Sequence, residues 1–225
     1  MYGLINHIRN LLFDKGVLKT LSHDTVVISV GNLKAGGTGK TPFVEYLLRL
    51  LASSYNIAVI SRGYGRKTKG YRLVDPQGRA EDFGDEPLQM AKKFPNVLFA
   101  VCESRNKAIE IIEAEYPAIN LVLLDDAYQH RYTARDFNIL LTEYNRPFFK
   151  DRVLPFGLLR EYRQGYKRAD CIVVTKCPPL EERERKDFAE KLKPLPDQRI
   201  FFSEIHYRLP YLLNDESRKL NLSEH

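Results

Sequence analysis

The chain has 225 residues, 44% hydrophobic and 28% charged, which excludes a disordered polypeptide and allows one α/β domain or one domain plus part of another. A net charge of +6 favours anionic partners, and Cys102, Cys171 and Cys177 lack the spacing of a zinc site or a disulfide framework, which suits free thiols in a reducing compartment. No apolar run reaches the ~18 residues that a bilayer crossing needs, and no signal peptide is visible.

In chain order, residues 1–20 open with a predicted amphipathic helix. Within MYGLINHIRNLLFDKG, Leu4, Ile5, Ile8, Leu11 and Leu12 form one stripe, His7, Arg9, Lys15 and Lys19 lie off it, and Gly16 is placed to end it. A basic helix of this kind lies in a membrane interface or packs its stripe on the protein's own core; periodicity does not choose. Short β-branched runs then read as strands at 25–31, 57–61, 97–101, 121–126, 138–142 and 171–175. Helices are predicted between several of them, at Thr41–Ser53, Glu86–Lys93, Glu103–Glu115 and Leu180–Leu192. SRGYGRKTKGYR (61–72) reads as a glycine-rich loop that continues into a small hairpin around Tyr71–Val74. The alternation gives an α/β fold over residues 21–145, a parallel sheet flanked by helices, which the glycine loop at 31–42 makes P-loop NTPase-like. Asn145–Gly165, with two prolines and no period, reads as a linker, so that 146–225 would hold the linker and the first part of a smaller second α/β domain.

The chemistry begins at GNLKAGGTGKTP. Gly36, Gly37, Thr38 and Gly39 allow the backbone to curl with its N–H groups towards phosphate oxygens, at the start of a helix whose N-terminal end is positive. Lys40 would meet the β- and γ-phosphates, and the Thr41 hydroxyl is a ligand for Mg²⁺. Lys34 stands where the strict pattern has its first glycine, so only the second half of that pattern matches. LVLLDDAYQH ends a strand on Asp125 and Asp126, which suits metal binding beside a phosphate loop, and His130 follows as a structural or a reacting histidine. In GDEP, Asp85 and Glu86 precede a helix; spacing favours a cap over a general base with a metal-site neighbour.

Arg62, Arg66, Arg105, Arg131, Arg135 and Arg160 fall in loops, several just after strands, where open α/β sheets bind ligands. Tyr64 and Tyr71 interleave with them, but no nucleic-acid recognition motif accompanies them. TKCP (175–178) has the shape of the NKxD element that reads guanine, with proline where the discriminating Asp would stand.

Together these pieces resemble the tetraacyldisaccharide 4′-kinase family, the lipid A kinases of Gram-negative bacteria. The matching segments run in order from VGNLKAGGTGKTP through SRGYGR, GDEP, DDAYQHR, ARD and LPFGLLRE to RADCIVVTK, about residues 30–176. The resemblance implies ATP·Mg²⁺-dependent phosphoryl transfer to the 4′-hydroxyl of the lipid A disaccharide 1-phosphate precursor. The setting would be the cytoplasmic face of the bacterial inner membrane, reached through the N-terminal helix, with a monomeric protein and no nucleic acid. It makes Lys40 and Thr41 handle phosphates and metal, places Glu86, Asp125 and Asp126 at the metal, and turns Asp85 into the base and His130 into a helper at the reacting phosphate. Arg62, Arg105 and Arg160 become partners for the substrate, Arg105 and Arg160 for its sugar phosphate. Three departures stand out: family members carry an earlier hydrophobic anchor, run on through a second domain that supplies a further histidine, and often have glycine where Ala127 stands. The resemblance therefore implies a truncated, poorly active chain. A partition- or biotin-synthesis-type P-loop ATPase, sharing a GGxGKT loop, is the alternative.

Overall fold

A computed structural model describes residues 2–205, 211–212 and 215–219 of the chain, with no account of the side chains of residues 2, 4, 211–212 and 215–219. It opens with helix α1 (Tyr2–Asp14), then β1 (Val26–Asn32), α2 (Lys40–Leu51) and β2 (Ile57–Ser61). β3 (Arg72–Leu73), α3 (Ala80–Phe83), α4 (Asp85–Lys93), β4 (Leu98–Val101) and α5 (Arg105–Glu115) follow. β5 (Leu121–Asp125), β6 (Phe137–Glu143), β7 (Cys171–Thr175), α6 (Glu182–Leu192) and β8 (Arg199–Phe202) complete the main layer. Its eight strands lie in the order β3-β4-β2-β5-β1-β6-β7-β8, parallel except for β3. A separate antiparallel pair joins β9 (Tyr211–Leu212) to β10 (Asp215–Lys219).

Both faces of the central strands are covered, which is why they read as continuous apolar runs. In β5, Leu121 and Leu123 join the cluster containing Val44, Leu48 and Met90 on one face, whereas Val122 and Leu124 join Ile109 and Ile112 on the other. β2 alternates in the same way, Ile57 and Val59 against Ala58 and Ile60. This period-two division between two helix layers fixes the register, because a one-residue slip would exchange the layers.

Three sequence expectations are corrected here. The hairpin expected around Tyr71–Val74 is an edge strand: β3 pairs antiparallel with the distant β4, Leu73 opposite Ala100. The boundary expected at residue 145 falls inside a continuous sheet, since β6 and β7 pair in register from Ile139–Cys171 to Glu143–Thr175. Residues 145–165 are no linker: Leu159 and Glu161 are buried, the Ala35 N–H donates to the Leu158 carbonyl (2.8 Å) and the Arg160 N–H to Leu33 (2.7 Å). Much of the stretch expected to start a second unit lies outside the described residues. β8, half-exposed at the sheet edge, carried too short an apolar run to be read from sequence.

Helix α1 packs with its polar side inward. Asn6 Nδ2 donates to the Arg160 carbonyl (2.8 Å), Asn10 Nδ2 to Glu161 Oε2 (2.8 Å), and the Arg131 guanidinium to the Asn10 carbonyl and Asp14. Of the predicted stripe, Ile5, Ile8 and Leu11 are exposed, Ile5 by 63%. No helix among the described residues is long and apolar enough to cross a membrane.

Candidate active site

Parallel strands end together, so the loops after β1, β2, β4 and β5 gather at one edge of the sheet. The register sets Asp125 opposite Val30, two residues before β1 ends at Asn32 and the glycine-rich loop begins. There they line a cleft of about 900 Å³ with Gly36, Gly37, Lys40, Arg62, Asp85, Glu86, Arg105, Asp125, Asp126, His130 and Arg160 on its walls.

The phosphate-type loop is built as expected, with two additions. Gly36 (φ 108°) and Gly39 (φ 81°) take the left-handed conformations that let it curl into the start of α2. Thr38 is buried, its hydroxyl accepting from Asn32 Nδ2 (2.7 Å) and its carbonyl accepting from Thr175 Oγ1 (2.9 Å), so its side chain braces the loop from behind. Lys34 is also buried, donating to Glu143 Oε2 (3.1 Å) and the Arg146 carbonyl (3.0 Å). The lysine at the irregular position is thus a strut against β6. Lys176, from TKCP, shares Glu143 and donates to the Gly37 carbonyl (2.7 Å). Sequence reasoning passed over Glu143 and Lys176 as loop supports; the sole signal was their place at the ends of neighbouring strands.

Gly84 (φ 91°) holds α4 against the SRGYGR loop, where an added Cβ would sit 2.9 Å from the Tyr64 carbonyl oxygen. The helix starts at Asp85, and no side chain caps it. The preference for Asp85 and Glu86 as caps is therefore overturned, although their charges do favour the helix N-terminus. Glu86 Oε2 instead accepts from Thr41 Oγ1 at 3.1 Å, bridging the two cleft walls. Asp85 is exposed in the cleft, with no hydrogen bond or ion pair among the described residues.

Asp125 is buried and its Oδ1 has no hydrogen-bond partner. Burial, then Asp126 and Glu86, push its carboxyl from 3.8 up to about 7, against Lys40 and Arg105. Asp126 lies between cations, 3.7 Å from Lys40 Nζ and 3.1–3.2 Å from Arg160. An orphaned carboxylate oxygen among repelling carboxylates, close to a hydroxyl, suits a hard divalent cation. No group of three or more His, Cys, Asp or Glu side chains among the described residues could hold a metal unaided, so a cation would also draw on the Thr41 hydroxyl and on phosphate oxygens.

A stability prediction follows from the sign of the Asp125 shift. Between about pH 4 and 7 the folded chain binds the proton that the unfolded chain has lost, so stability falls as pH rises through that window. Asp125→Asn should therefore raise the melting temperature of the nucleotide- and metal-free protein near neutral pH, by about 2–4 °C per kcal/mol recovered. The gain should vanish towards pH 4. Thermal melting that shows no gain at neutral pH would remove the buried-repulsion assignment.

His130 is half-buried, with its Nε2 enclosed and unpartnered. Burial, then Arg105, Arg135, Arg9 and Arg62, lower its pKa to about 4, so it is a neutral imidazole at pH 7. The arginines divide in role. Arg135 pins the DDAYQH turn through the carbonyls of Ala127, Tyr128 and His130, and Arg131 ties that turn to α1. Arg105, only 3% exposed, is turned towards the carbonyls of Cys102, Glu103 and Asp125. Arg62 is exposed in the cleft, with no hydrogen bond or ion pair among the described residues. Ala127, in place of the expected glycine, is accommodated fully buried.

The chain as a whole has counterparts among known proteins. The family model described as LpxK, tetraacyldisaccharide-1-P 4′-kinase, matches residues 1–220. The chain belongs to this family. Tetraacyldisaccharide 4′-kinase of Flavobacterium johnsoniae is 49% identical over 217 residues, covering 96% of this chain and 64% of that protein. The protein of the same name from Bacteroides thetaiotaomicron is 46% identical over 209 residues, 92% of this chain and 55% of that one. The chain thus spans about half to two-thirds of the length of the curated relatives it matches. A crystal structure of an "apo" form of LpxK from Aquifex aeolicus in complex with ATP superposes with a TM-score of 0.72 at 32% identity, over 92% of this chain and 79% of that one. Membership sets aside the partition- or biotin-synthesis-type ATPase, and the buried Lys34 agrees.

Proposed function

We propose that the protein transfers the γ-phosphoryl group of ATP to the 4′-hydroxyl of a tetraacyldisaccharide 1-phosphate, the lipid A precursor. The observation that carries this reading is one shared cleft: the Thr41–Glu86 contact of 3.1 Å places Asp85, next in sequence, on the wall facing the phosphate loop. The family name and the ATP in the Aquifex aeolicus structure support the donor and the acceptor.

In this reading the N–H groups of Gly36–Gly39 and the Lys40 ammonium hold the triphosphate, while the neutral His130 ring donates to a transferring oxygen. Thr41, Glu86, Asp125 and Asp126 would hold Mg²⁺, which when bound supplies charge neutralisation at the phosphate oxygens. Asp85 takes the proton of the 4′-hydroxyl, the freed oxygen attacks the γ-phosphorus in line, the β–γ bridging P–O bond breaks, and ADP leaves. Arg160, paired with Asp126, and Arg105, whose enclosed Nε has no partner, would meet the sugar 1-phosphate. The test is transfer of label from [γ-³²P]ATP to the disaccharide lipid by the full-length protein. Label recovered solely as inorganic phosphate would overturn the reading.

The exposed isoleucines of α1 support a reaction at a membrane surface, on the cytoplasmic side where ATP is found. Burying an isoleucine is worth about 1.5–3 kcal/mol, so Ile5→Glu with Ile8→Glu should lower binding to phospholipid vesicles by at least ~10-fold. Both residues are exposed, so stability should move by no more than ~0.5 kcal/mol each. Unchanged sedimentation with vesicles would exclude α1 as the contact.

A further inference from the structure

Residues 151–159, DRVLPFGLL, fold back on themselves and present one aromatic side chain to solvent. The Leu154 N–H donates to the Leu159 carbonyl (3.0 Å), the Leu159 N–H to the Arg152 carbonyl (2.9 Å) and the Phe156 N–H to the Val153 carbonyl (3.0 Å). Asp151 Oδ1 accepts from the N–H groups of Arg152 (2.8 Å) and Leu158 (3.1 Å), closing the base of the loop. Leu159 is fully buried, whereas Phe156 at the tip is 84% exposed. With its backbone tied in this way, the loop holds the phenyl ring in water by construction, and an apolar tip rimmed by polar groups marks a contact surface.

The loop stands beside α1. Gly3 lies so close to Val153 that an added Cβ would clash with it, and the His7 ring meets Tyr162 edge-on at 5.1 Å. Gly3, Phe156 and Tyr162 line one groove together with Arg152 and Arg163. Both arginines and Lys167 are exposed and make no ion pair among the described residues. The geometry points to the Phe156 loop as a second contact with a bilayer of anionic phospholipid, to one side of the α1 axis. The inference rests on the membrane-surface reading of α1 above and extends it. A helix lying alone in an interface is free to roll about its axis, and an apolar point to one side removes that freedom. The chain runs on from this loop to Arg160 on the cleft wall, so the second contact would hold the cleft mouth at a fixed angle to the membrane. A lone ring among unpaired cations suits a hydrocarbon boundary under a negative headgroup layer. It offers far less apolar area than a specific protein interface buries.

The test uses the full-length protein with vesicles of phosphatidylethanolamine and phosphatidylglycerol, or of neutral phosphatidylcholine. Phe156→Ser should lower binding to the anionic vesicles by about 10- to 100-fold, the worth of one large apolar side chain, and Phe156→Leu should recover most of that loss. Arg152→Gln with Arg163→Gln should cost about 10- to 30-fold on the anionic vesicles and leave the neutral ones unchanged. Melting temperatures should stay at the parental value, since all three side chains are exposed. In Phe156→Trp, the emission gained over the parent should shift to the blue when vesicles are added and be quenched by lipids brominated in their acyl chains. Parental binding by Phe156→Ser, or no quenching of the new fluorophore, would overturn the loop contact. Equal losses on the two vesicle types for the arginine pair would overturn its selectivity for anionic lipid. If Ile5→Glu with Ile8→Glu abolishes vesicle binding and Phe156→Ser does not, α1 stands as the contact and the loop fails; the reverse result keeps the loop and removes α1.

Discussion

Replacing Asp85 by alanine is expected to cut transfer to the acceptor by ~10²–10⁴-fold while ATP affinity stays near the parental value. The carboxylate is exposed in the cleft at the first residue of α4, has no partner among the described residues and does not cap its helix. Its removal should therefore cost little stability, and the contact that reaches the nucleotide side belongs to Glu86. Asp85→Asn keeps the shape and loses the basicity, so it should fall as far as Asp85→Ala. The measurement pairs label transfer with nucleotide titration in the full-length protein. A near-parental rate for either variant would remove Asp85 as the base.

Lys40→Ala should behave differently, impairing ATP binding and turnover together, with turnover falling ~10²–10³-fold. The ammonium stands at the first residue of α2, 3.7 Å from Asp126 Oδ1, where helix N-terminus and side chain present positive charge to the same point. Its loss leaves Asp126 paired with Arg160 alone and leaves the loop to bind through backbone N–H groups. The affinity loss should be larger for ATP than for AMP, because the charge is lost at the outer phosphates. Equal affinities for the variant and the parent would contradict the loop assignment.

The main strands and helices were legible because their signals are local. β1, β2, β5 and β7 are apolar on both faces, and each begins and ends within two residues of its predicted limits. β3 was misread as part of a hairpin because two residues cannot show which distant strand they join. The site divides in the same way. Glycines and a lysine before a helix announce a phosphate loop, and Asp125–Asp126 at a strand end announce an acidic neighbour. Glu161 passed unnoticed: 1% exposed and paired with Arg168, it also accepts from Asn10 of α1 and from Gln129, joining the helix to the DDAYQH turn. Nothing in GLLRE distinguishes such a carboxylate from a solvated one.

The sequence alone determined the layered α/β fold, the phosphate loop and the family, because periodicity and short-range spacing survive in one dimension. Only the tertiary structure decided that Lys34 braces the loop, that Glu86 reaches Thr41, and that α1 turns its isoleucines outward and Arg9 into the cleft. Those outcomes depend on which partners a long-range sheet order brings together, and on which side chains lose water when it does.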